Sequence, residues 1–168
     1  MDLCKEIISR NLRIQWIANS RVDTLDEERI HWMKKAGCWA ISLGVESGSQ
    51  QILDKIKKGI HLEQSRQAVE LCRKHRIKTY AYFMIGFPWD NRETVNESIK
   101  FAIALNPDFV DFFLPYPFSG TELEQIALEH KLIGKERRVH AYSEPAMDTL
   151  YLSRQELMQF KKYALRKF

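Results

Sequence analysis

The sequence predicts an α/β fold with a mostly parallel sheet of four strands, and three observations support this prediction. Short apolar runs alternate along the chain with segments whose apolar residues have helical spacing. The segments between the runs are long enough to serve as the crossovers that parallel strands need. Residues that favour turns follow the strands. An open sheet or part of a (β/α) TIM-type barrel fits this order.

The predicted strands share a short, apolar or aromatic composition. They are residues 13–18, 39–45, 80–85 and 109–114. The run at 39–45 is too continuously apolar for an amphipathic helix, which indicates a buried strand. The third strand ends at Gly86-Phe87-Pro88 because proline cannot continue a central ladder.

Helix starts are predicted from pairs of residues with capping-box spacing. These pairs are Thr24 with Glu27, Asp90 with Glu93, and Ser153 with Glu156. Gly37 ends the first helix, Gly120-Thr121 leads another to about residue 129, and further helical pieces are expected at about 50–56 and 63–75.

Two of these helices have a clear apolar face that would pack on the sheet. One face contains Ala68, Val69 and Cys72, and the other contains Val95, Ile99, Ala102 and Ile103.

One hydrophobic core is expected, because 168 residues with 45% hydrophobic content support a single core of ordinary size. The pattern is irregular from Gly134 to about Leu152. We therefore predict a partial barrel at 1–133 and a C-terminal extension at 134–168 that ends in the final helix.

Charge and hydropathy exclude several classes of partner. The net charge of +4 is spread along the chain, whereas a nucleic-acid groove needs a denser basic stripe. No apolar stretch approaches the span of a bilayer, and the first residues are acidic rather than typical of a signal peptide. The expected location is cytoplasmic, without membrane or nucleic-acid binding.

Cys4, Cys38 and Cys72 lie more than thirty residues apart, so the sequence contains no CxxC or CxxxCxxC spacing for a metal or cluster. No two histidines have the spacing of metal ligands. The three cysteines are predicted to be small buried residues, and no metal site is expected.

Candidate functional residues lie where the strands end, since parallel α/β folds bind ligands at that edge. Glu46 ends a hydrophobic strand and therefore needs a partner or a ligand. Ser47 and Ser49 either cap the next helix or contact a ligand. Arg21 either pairs with Glu46 or Asp23 or serves the site. Gly86-Phe87-Pro88 could equally be a simple turn.

Five segments occur in the order and spacing typical of one family. They are Asn19-Ser20-Arg21-Val22-Asp23, Leu43-Gly44-Val45-Glu46-Ser47-Gly48-Ser49, Lys58-Gly59-Ile60, Ile85-Gly86-Phe87-Pro88 and Pro117-Phe118-Ser119-Gly120-Thr121. Together they resemble the radical S-adenosylmethionine (SAM) superfamily. Ala36-Gly37-Cys38-Trp39 and Leu152-Ser153-Arg154-Gln155-Glu156-Leu157 are most similar to its cobalamin-binding subgroup of methyltransferases and an anaerobic porphyrin-ring cyclase.

The resemblance implies SAM-binding roles at the strand ends, and no residue is assigned a catalytic role. Glu46 and Ser47 would contact the ribose and methionine, and Arg21 and Lys58 would supply polar or carboxylate contacts. The adenine would meet Met84, Ile85 and Gly86, with Leu114, Pro115 and Tyr116 closing over the base. Tyr82 and Trp89 replace the glycine and glutamate of the family motif around Gly86, so that motif is degenerate.

The family's CxxxCxxC loop and Gly-Gly-Glu motif would both lie before Met1. The resemblance thus implies a [4Fe-4S] cluster in a longer parent protein, whose ligands this chain lacks, and it allows for cobalamin in that parent. A chain without the cluster cannot reduce the SAM sulfonium, so we expect this fragment to be inactive alone. The parent would act on a small-molecule substrate.

Two alternatives remain. A four-stranded slice of a barrel has open edges, so the chain could be a non-catalytic assembly module that pairs with the missing amino-terminal half or with a second copy of itself. It could also be an ordinary α/β-barrel enzyme that uses Glu46 as an acid or base.

Overall fold

The structure is a computed structural model that describes residues 1–133 and 144–168. Its strands are β1 (Trp16–Arg21), β2 (Cys38–Glu46), β3 (Lys78–Met84) and β4 (Phe109–Phe113). They form one sheet in the order β1-β2-β3-β4, and all three strand pairs are parallel. The α/β fold with four parallel strands is confirmed.

Helices precede, connect and follow these strands. They are α1 (Asp2–Ser9), α2 (Glu27–Lys35), α3 (Gln50–Lys55), α4 (Leu62–Lys74), α5 (Arg92–Leu105), α6 (Glu122–Glu129) and α7 (Arg154–Lys167). The sequence predictions did not include α1, although Leu3, Cys4, Ile7 and Ile8 have the spacing of an apolar helix face. Its buried residues, Cys4 and Ile7, pack with Ala36 in a small cluster beside α2. A helix of eight residues is marginal on its own, so α1 also depends on this packing.

The main core lies between one face of the sheet and the helices. Ile41, Leu43 and Phe83 on this face are fully buried, as is Cys72 of α4. The helix α7 packs on β4 and α5, and its Leu157 belongs to this same core. The boundary between barrel and extension at residue 134 stays a prediction, and part of the irregular stretch, 134–143, lies outside the described residues.

The other face of the sheet is aromatic and only partly covered. Side chains alternate between the two faces of a strand, so Tyr80 and Tyr82 point away from the main core. Tyr80 stacks on Phe109 at 4.3 Å between ring centroids, and Tyr82 contacts Phe113 edge-on at 5.3 Å. These four half-buried or exposed rings form a continuous surface across β3 and β4.

The first strand lies three residues later than predicted, at Trp16–Arg21 rather than 13–18. Asn19, Ser20 and Arg21 are therefore part of β1, where they pair with residues 42–44 of β2. β1 has only one neighbour among the described strands, and its side chains alternate between half-buried and exposed. An apolar run is a poor guide to the limits of such a strand, because polar residues are tolerated on its exposed face.

Two predicted helix caps are wrong by one or two positions. Asp26 rather than Thr24 caps α2, and Asn91 rather than Asp90 caps α5 with Thr94 as its capping-box partner. Thr24 instead belongs to a turn of 3₁₀ helix, and Asp90 is buried in the preceding loop. The spacing rule identified each region but not the residue, because Thr, Asp and Asn can all cap a helix and the alternatives lie only one or two residues apart.

The remaining caps and faces agree with the sequence, with one exception. Ser153 and Glu156 form a capping box at α7, and Thr121 caps α6. Val95 and the other predicted α5 core residues are buried, except for Ile103, which is 48% exposed. The buried face of α5 is therefore shifted from the prediction, because it includes Phe101 and Leu105 but not Ile103.

All three cysteines are buried, as the sequence predicted, and none of them forms a disulfide. Burial raises the pKa of Cys38 to about 11 and that of Cys72 to about 12. Both thiols are therefore protonated at neutral pH, which is the form that does not bind metal. In the described ranges, no helix combines the length and apolar character needed to cross a membrane.

We expect Gly48→Ala to destabilise the fold, because the loop after β2 passes directly over α5. A Cβ atom at residue 48 would lie 2.5 Å from Phe101 Cβ and 2.6 Å from Ser98 Cα. Relieving this overlap requires a backbone shift, so the free energy of unfolding should fall by about 1–3 kcal/mol. Urea denaturation measures this change.

Gly120→Ala is the comparison variant for that measurement. Gly120 has a positive φ of 84°, but a Cβ there meets no atom within 4 Å. The free energy of unfolding of Gly120→Ala should fall by about 1 kcal/mol, because only the backbone conformation is unfavourable for alanine. A loss in Gly48→Ala no larger than in Gly120→Ala would contradict the packing argument.

Candidate functional site

The carboxyl ends of the strands meet at one edge of the sheet. Parallel register places Arg21 beside Gly44, Gly44 beside Tyr82 and Tyr82 beside Asp111. These four residues form one row across the partly covered face, immediately below the strand ends. The predicted site residues of β1 and β2 are thus brought to the same place by strand pairing.

Glu46 ends β2 in an unusual backbone conformation. The pairing of β2 with β3 is irregular between Gly44 and Glu46, and Glu46 has a positive φ of 68°. A non-glycine residue in this region costs about 1–3 kcal/mol and is enriched at functional sites. The turn directs the carboxylate back over the strand, where a Cβ at Gly44 would lie 2.8 Å from Glu46 Oε1.

Lys58 is the immediate partner of Glu46. Its Nζ donates to Glu46 Oε1 at 2.6 Å, and the two side chains are 22% and 18% exposed. A backbone hydrogen bond from Lys58 N to Leu53 O holds the lysine just after α3. This partly exposed ion pair offers a carboxylate and an ammonium side by side to a ligand on the partly covered face.

Arg21 pairs with Asp23, which decides between the two partners that the sequence left open. Its Nε and Nη2 donate to the two Asp23 oxygens at 2.9 and 2.8 Å, and Nη2 also donates to the Lys58 carbonyl. The hydrogen bond from Arg21 lowers the pKa of Asp23, and the same bond raises the pKa of Arg21. Arg21 therefore holds the backbone of Lys58 while remaining 45% exposed.

Ser47 faces the helix layer rather than the open face. Its Oγ lies 3.1 Å from Ser98 Oγ on α5 and accepts a hydrogen bond from Ser49 N, and the residue is 1% exposed. Ser49 stands at the N-cap position of α3, but its side chain makes no capping bond. A ligand contact through the Ser47 hydroxyl would require its bonds within the protein to break.

The loop after β3 contains the predicted adenine residues. Met84 is half-buried, whereas Ile85 and Gly86 are buried, and Gly86 has a positive φ of 102°. The Ile85 amide donates to Phe113 O, which ties this loop to the end of β4.

Asp90 is a residue of this region that the sequence analysis assigned to a helix cap. Its Oδ2 accepts the Gly86 and Phe87 amides at 2.8 and 2.9 Å. Burial raises the pKa of Asp90, while its hydrogen bonds from Thr94, Gly86 and Phe87 act in the opposite direction. Asp90 lies one position after Trp89, which replaces the glutamate of the family motif. That proximity was the signal in the sequence that could have indicated the role of Asp90 in this loop.

The segment after β4 lies beside the β3 loop. Leu114 and Pro115 are buried, and a Cβ at Gly86 would lie 3.7 Å from Pro115 Cδ. Tyr116 is half-buried, with its ring 4.7 Å from that of Phe118. Leu114 belongs to the main core, whereas the Tyr116 and Phe118 rings form a separate aromatic pair after β4.

The described part of the chain does not fit an iron–sulfur cluster. It contains no group of three His, Cys, Asp or Glu side chains placed to hold a metal ion. Cys38 and Cys72 are buried in the main core, and Cys4 is buried on α1, so none of the three lies at the carboxyl ends of the strands. The strand-end groups can bind a zwitterionic ligand with an aromatic or heterocyclic part, but they supply no cluster ligands.

Glu46 also lacks the neighbours expected if it acted as the acid or base of an ordinary α/β-barrel enzyme. Its hydrogen-bonded partner is the Lys58 ammonium rather than a second carboxylate or a histidine. The arrangement is that of a charge pair available to a polar ligand.

Comparison with known proteins identifies relatives by sequence. The chain is 38% identical over 133 residues to an uncharacterized methyltransferase of Pyrococcus horikoshii, covering 79% of this chain and 29% of that protein. It is 35% identical over 123 residues to the anaerobic magnesium-protoporphyrin IX monomethyl ester cyclase of Rubrivivax gelatinosus, covering 71% and 22%. The chain therefore spans less than a third of the length of these two relatives.

A solved structure with a similar fold is the radical S-adenosylmethionine methyltransferase TsrM from Kitasatospora setae, which has cobalamin and a [4Fe-4S] cluster bound. The TM-score is 0.68 at 21% identity, and the match covers 95% of this chain and 34% of that one. This likeness confirms the predicted fold, a part of a TIM-type radical SAM barrel.

The sequence model of the radical SAM superfamily matches residues 1–102, which is more than half of the chain. This match covers β1 to β3 with the Glu46–Lys58 pair and the loop at Gly86. The resemblance carried by the five sequence segments is thereby confirmed, and the chain belongs to the radical SAM superfamily.

Proposed function

We propose that this chain binds S-adenosylmethionine at the carboxyl ends of its strands, as the carboxyl-side part of a radical SAM barrel. The Glu46–Lys58 pair supports this proposal most strongly. It combines a strained backbone, partial exposure and both signs of charge at the edge of the sheet where ligands bind in parallel α/β folds.

The charges of this edge complement the polar end of SAM. The methionine part carries an ammonium and a carboxylate, and the ribose carries two hydroxyl groups. Glu46 can accept hydrogen bonds from the ammonium or the ribose, whereas Lys58 and the exposed part of Arg21 can donate to the carboxylate. Proposed contacts of the adenine are Met84, Ile85 and Gly86, and Leu114, Pro115 and Tyr116 would close over it.

The radical chemistry would need groups from outside the described residues. A [4Fe-4S] cluster supplies the electron that cleaves SAM in this family, and the cysteines of this chain do not fit such a cluster. We therefore propose that the chain is a fragment of a longer protein and is inactive alone. For that parent we propose methyl transfer or ring cyclisation of a small molecule, with cobalamin as a further cofactor. The proposal rests on similarity to the methyltransferase, the cyclase and TsrM described above.

We expect calorimetric titration with SAM to show saturable binding that is at least about tenfold weaker in Glu46→Gln, since a charge-assisted hydrogen bond contributes about 1.5–3 kcal/mol. Glu122→Gln is the matched control. It also removes the carboxylate of a lysine ion pair, Lys57 with Glu122, but both side chains of that pair are exposed and Glu122 lies on α6.

Glu122→Gln should retain the wild-type affinity. Equal losses in the two variants would mean that the effect is general electrostatics rather than a contact at β2. If the wild-type chain does not bind SAM, the proposal fails for this chain.

The open strand edges support a second candidate function, assembly. Among the described strands, β1 and β4 each have one neighbour, and β1 contains no proline and no charge before Arg21. Ile17 on β1 is 55% exposed, and Phe109 on β4 is 44% exposed. Such edges pair readily with other strands. In an intact barrel the preceding half would cover β1; for this chain alone we propose that a second copy does.

Light scattering after gel filtration should therefore give a dimer for the wild-type chain and a monomer for Ile17→Lys, because a buried lysine opposes pairing at the β1 edge. Ile103→Lys is the control, as Ile103 is similarly exposed but lies on α5. It should remain dimeric. A wild-type chain that stays monomeric at high concentration would exclude this assembly.

A further inference from the structure

The loop after β3, residues 86–90, is closed by one buried carboxylate. Asp90 Oδ2 accepts the amides of Gly86 and Phe87, and Oδ1 accepts the Thr94 hydroxyl at 2.7 Å. Asp90 is only 1% exposed, so water does not compete for these bonds. The position of Gly86 is thus set by the position of Asp90.

Asp90 is in turn held by the segment that leads into α7. Thr149 Oγ1 donates to the Asp90 carbonyl at 2.8 Å, across 59 residues of sequence. The same oxygen accepts the amides of Leu152 at 2.8 Å and Tyr151 at 3.1 Å. The Leu150 amide donates to Pro88 O at 2.9 Å. Two hydrogen bonds therefore connect the β3 loop to this distant segment.

A side chain of α7 completes the enclosure of the loop. Leu157 is 1% exposed, and a Cβ at Gly86 would come within 3.1 Å of Leu157 Cδ1. Gly86 is therefore covered on its outer side by α7, while its amide is held by Asp90. We call Asp90, Thr149 and Leu157 the β3 clamp.

The geometry points to a positioning role for this clamp. We propose that Thr149, acting through Asp90, holds the backbone of Gly86 and Phe87 in the arrangement that receives the adenine of SAM. The segment before α7 would then set ligand affinity without touching the ligand. This proposal rests on the proposed function for its ligand, although the loop geometry is independent of it.

The test compares Thr149→Val with the wild-type chain. Valine has nearly the same shape but cannot donate to the Asp90 carbonyl or accept the two amides. We expect SAM affinity to fall by about tenfold in calorimetry, because small displacements of binding groups weaken contacts strongly. Hydrogen exchange at the Gly86 and Phe87 amides should also become faster, since their acceptor is less firmly held.

Thr79→Val is the matched control, at the opposite end of β3. Thr79 is also buried, and its Oγ1 lies 3.2 Å from Asp108 Oδ2 and accepts the Asp108 amide at 3.1 Å. This variant should lose a comparable amount of stability but keep the wild-type SAM affinity and the exchange rates at Gly86 and Phe87. Thr149→Ser retains the hydroxyl, so it should have the SAM affinity and the Gly86 and Phe87 exchange rates of the wild-type chain.

Equal SAM affinity and equal exchange in Thr149→Val and Thr79→Val would overturn the clamp. If the valine variant does not fold, the smaller Thr149→Ala serves the same comparison. If the wild-type chain binds no SAM, the proposed function fails separately, and exchange alone decides the clamp. Faster exchange in the Thr149 variant than in Thr79→Val then supports it, and equal exchange overturns it.

Discussion

Parallel pairing of the four strands is the constraint on which the rest of the structure depends. It brings the carboxyl ends of β1, β2 and β3 to one edge, so that Arg21, Gly44 and Tyr82 lie in one row. Residues that are far apart in sequence become neighbours without any direct attraction between their side chains. The helices cover the opposite face, which leaves the partly covered face to present polar and aromatic groups.

The irregularity in β2 gives this edge its chemistry. A regular strand would place the side chain at position 46 on one face or the other, whereas the positive φ of Glu46 turns its carboxylate back over Gly44. Lys58 then meets the carboxylate from the turn after α3, and Arg21 holds the backbone of Lys58. The ion pair is thus supported by two separate elements, which allows a strained residue to persist.

Membership of the radical SAM superfamily agrees with these features. The described residues include the strand ends proposed to bind the organic ligand, but no group of side chains among them is placed to hold a metal ion. Burial of Leu157 and Ala164 in the main core shows that the last helix is part of the packed structure. The ligand edge and this helix are connected through the loop after β3.

The sequence by itself determined the α/β class, the strand order along the chain and the family, because apolar runs and short motifs are local patterns. It also indicated Glu46, since a carboxylate at the end of an apolar strand needs a partner. Only the tertiary structure decided that this partner is Lys58, that Arg21 pairs with Asp23, and that Asp90 closes a loop rather than capping α5. Such choices depend on which of several equally suitable polar groups comes within hydrogen-bond distance, and that distance is set by the packing of elements remote in sequence.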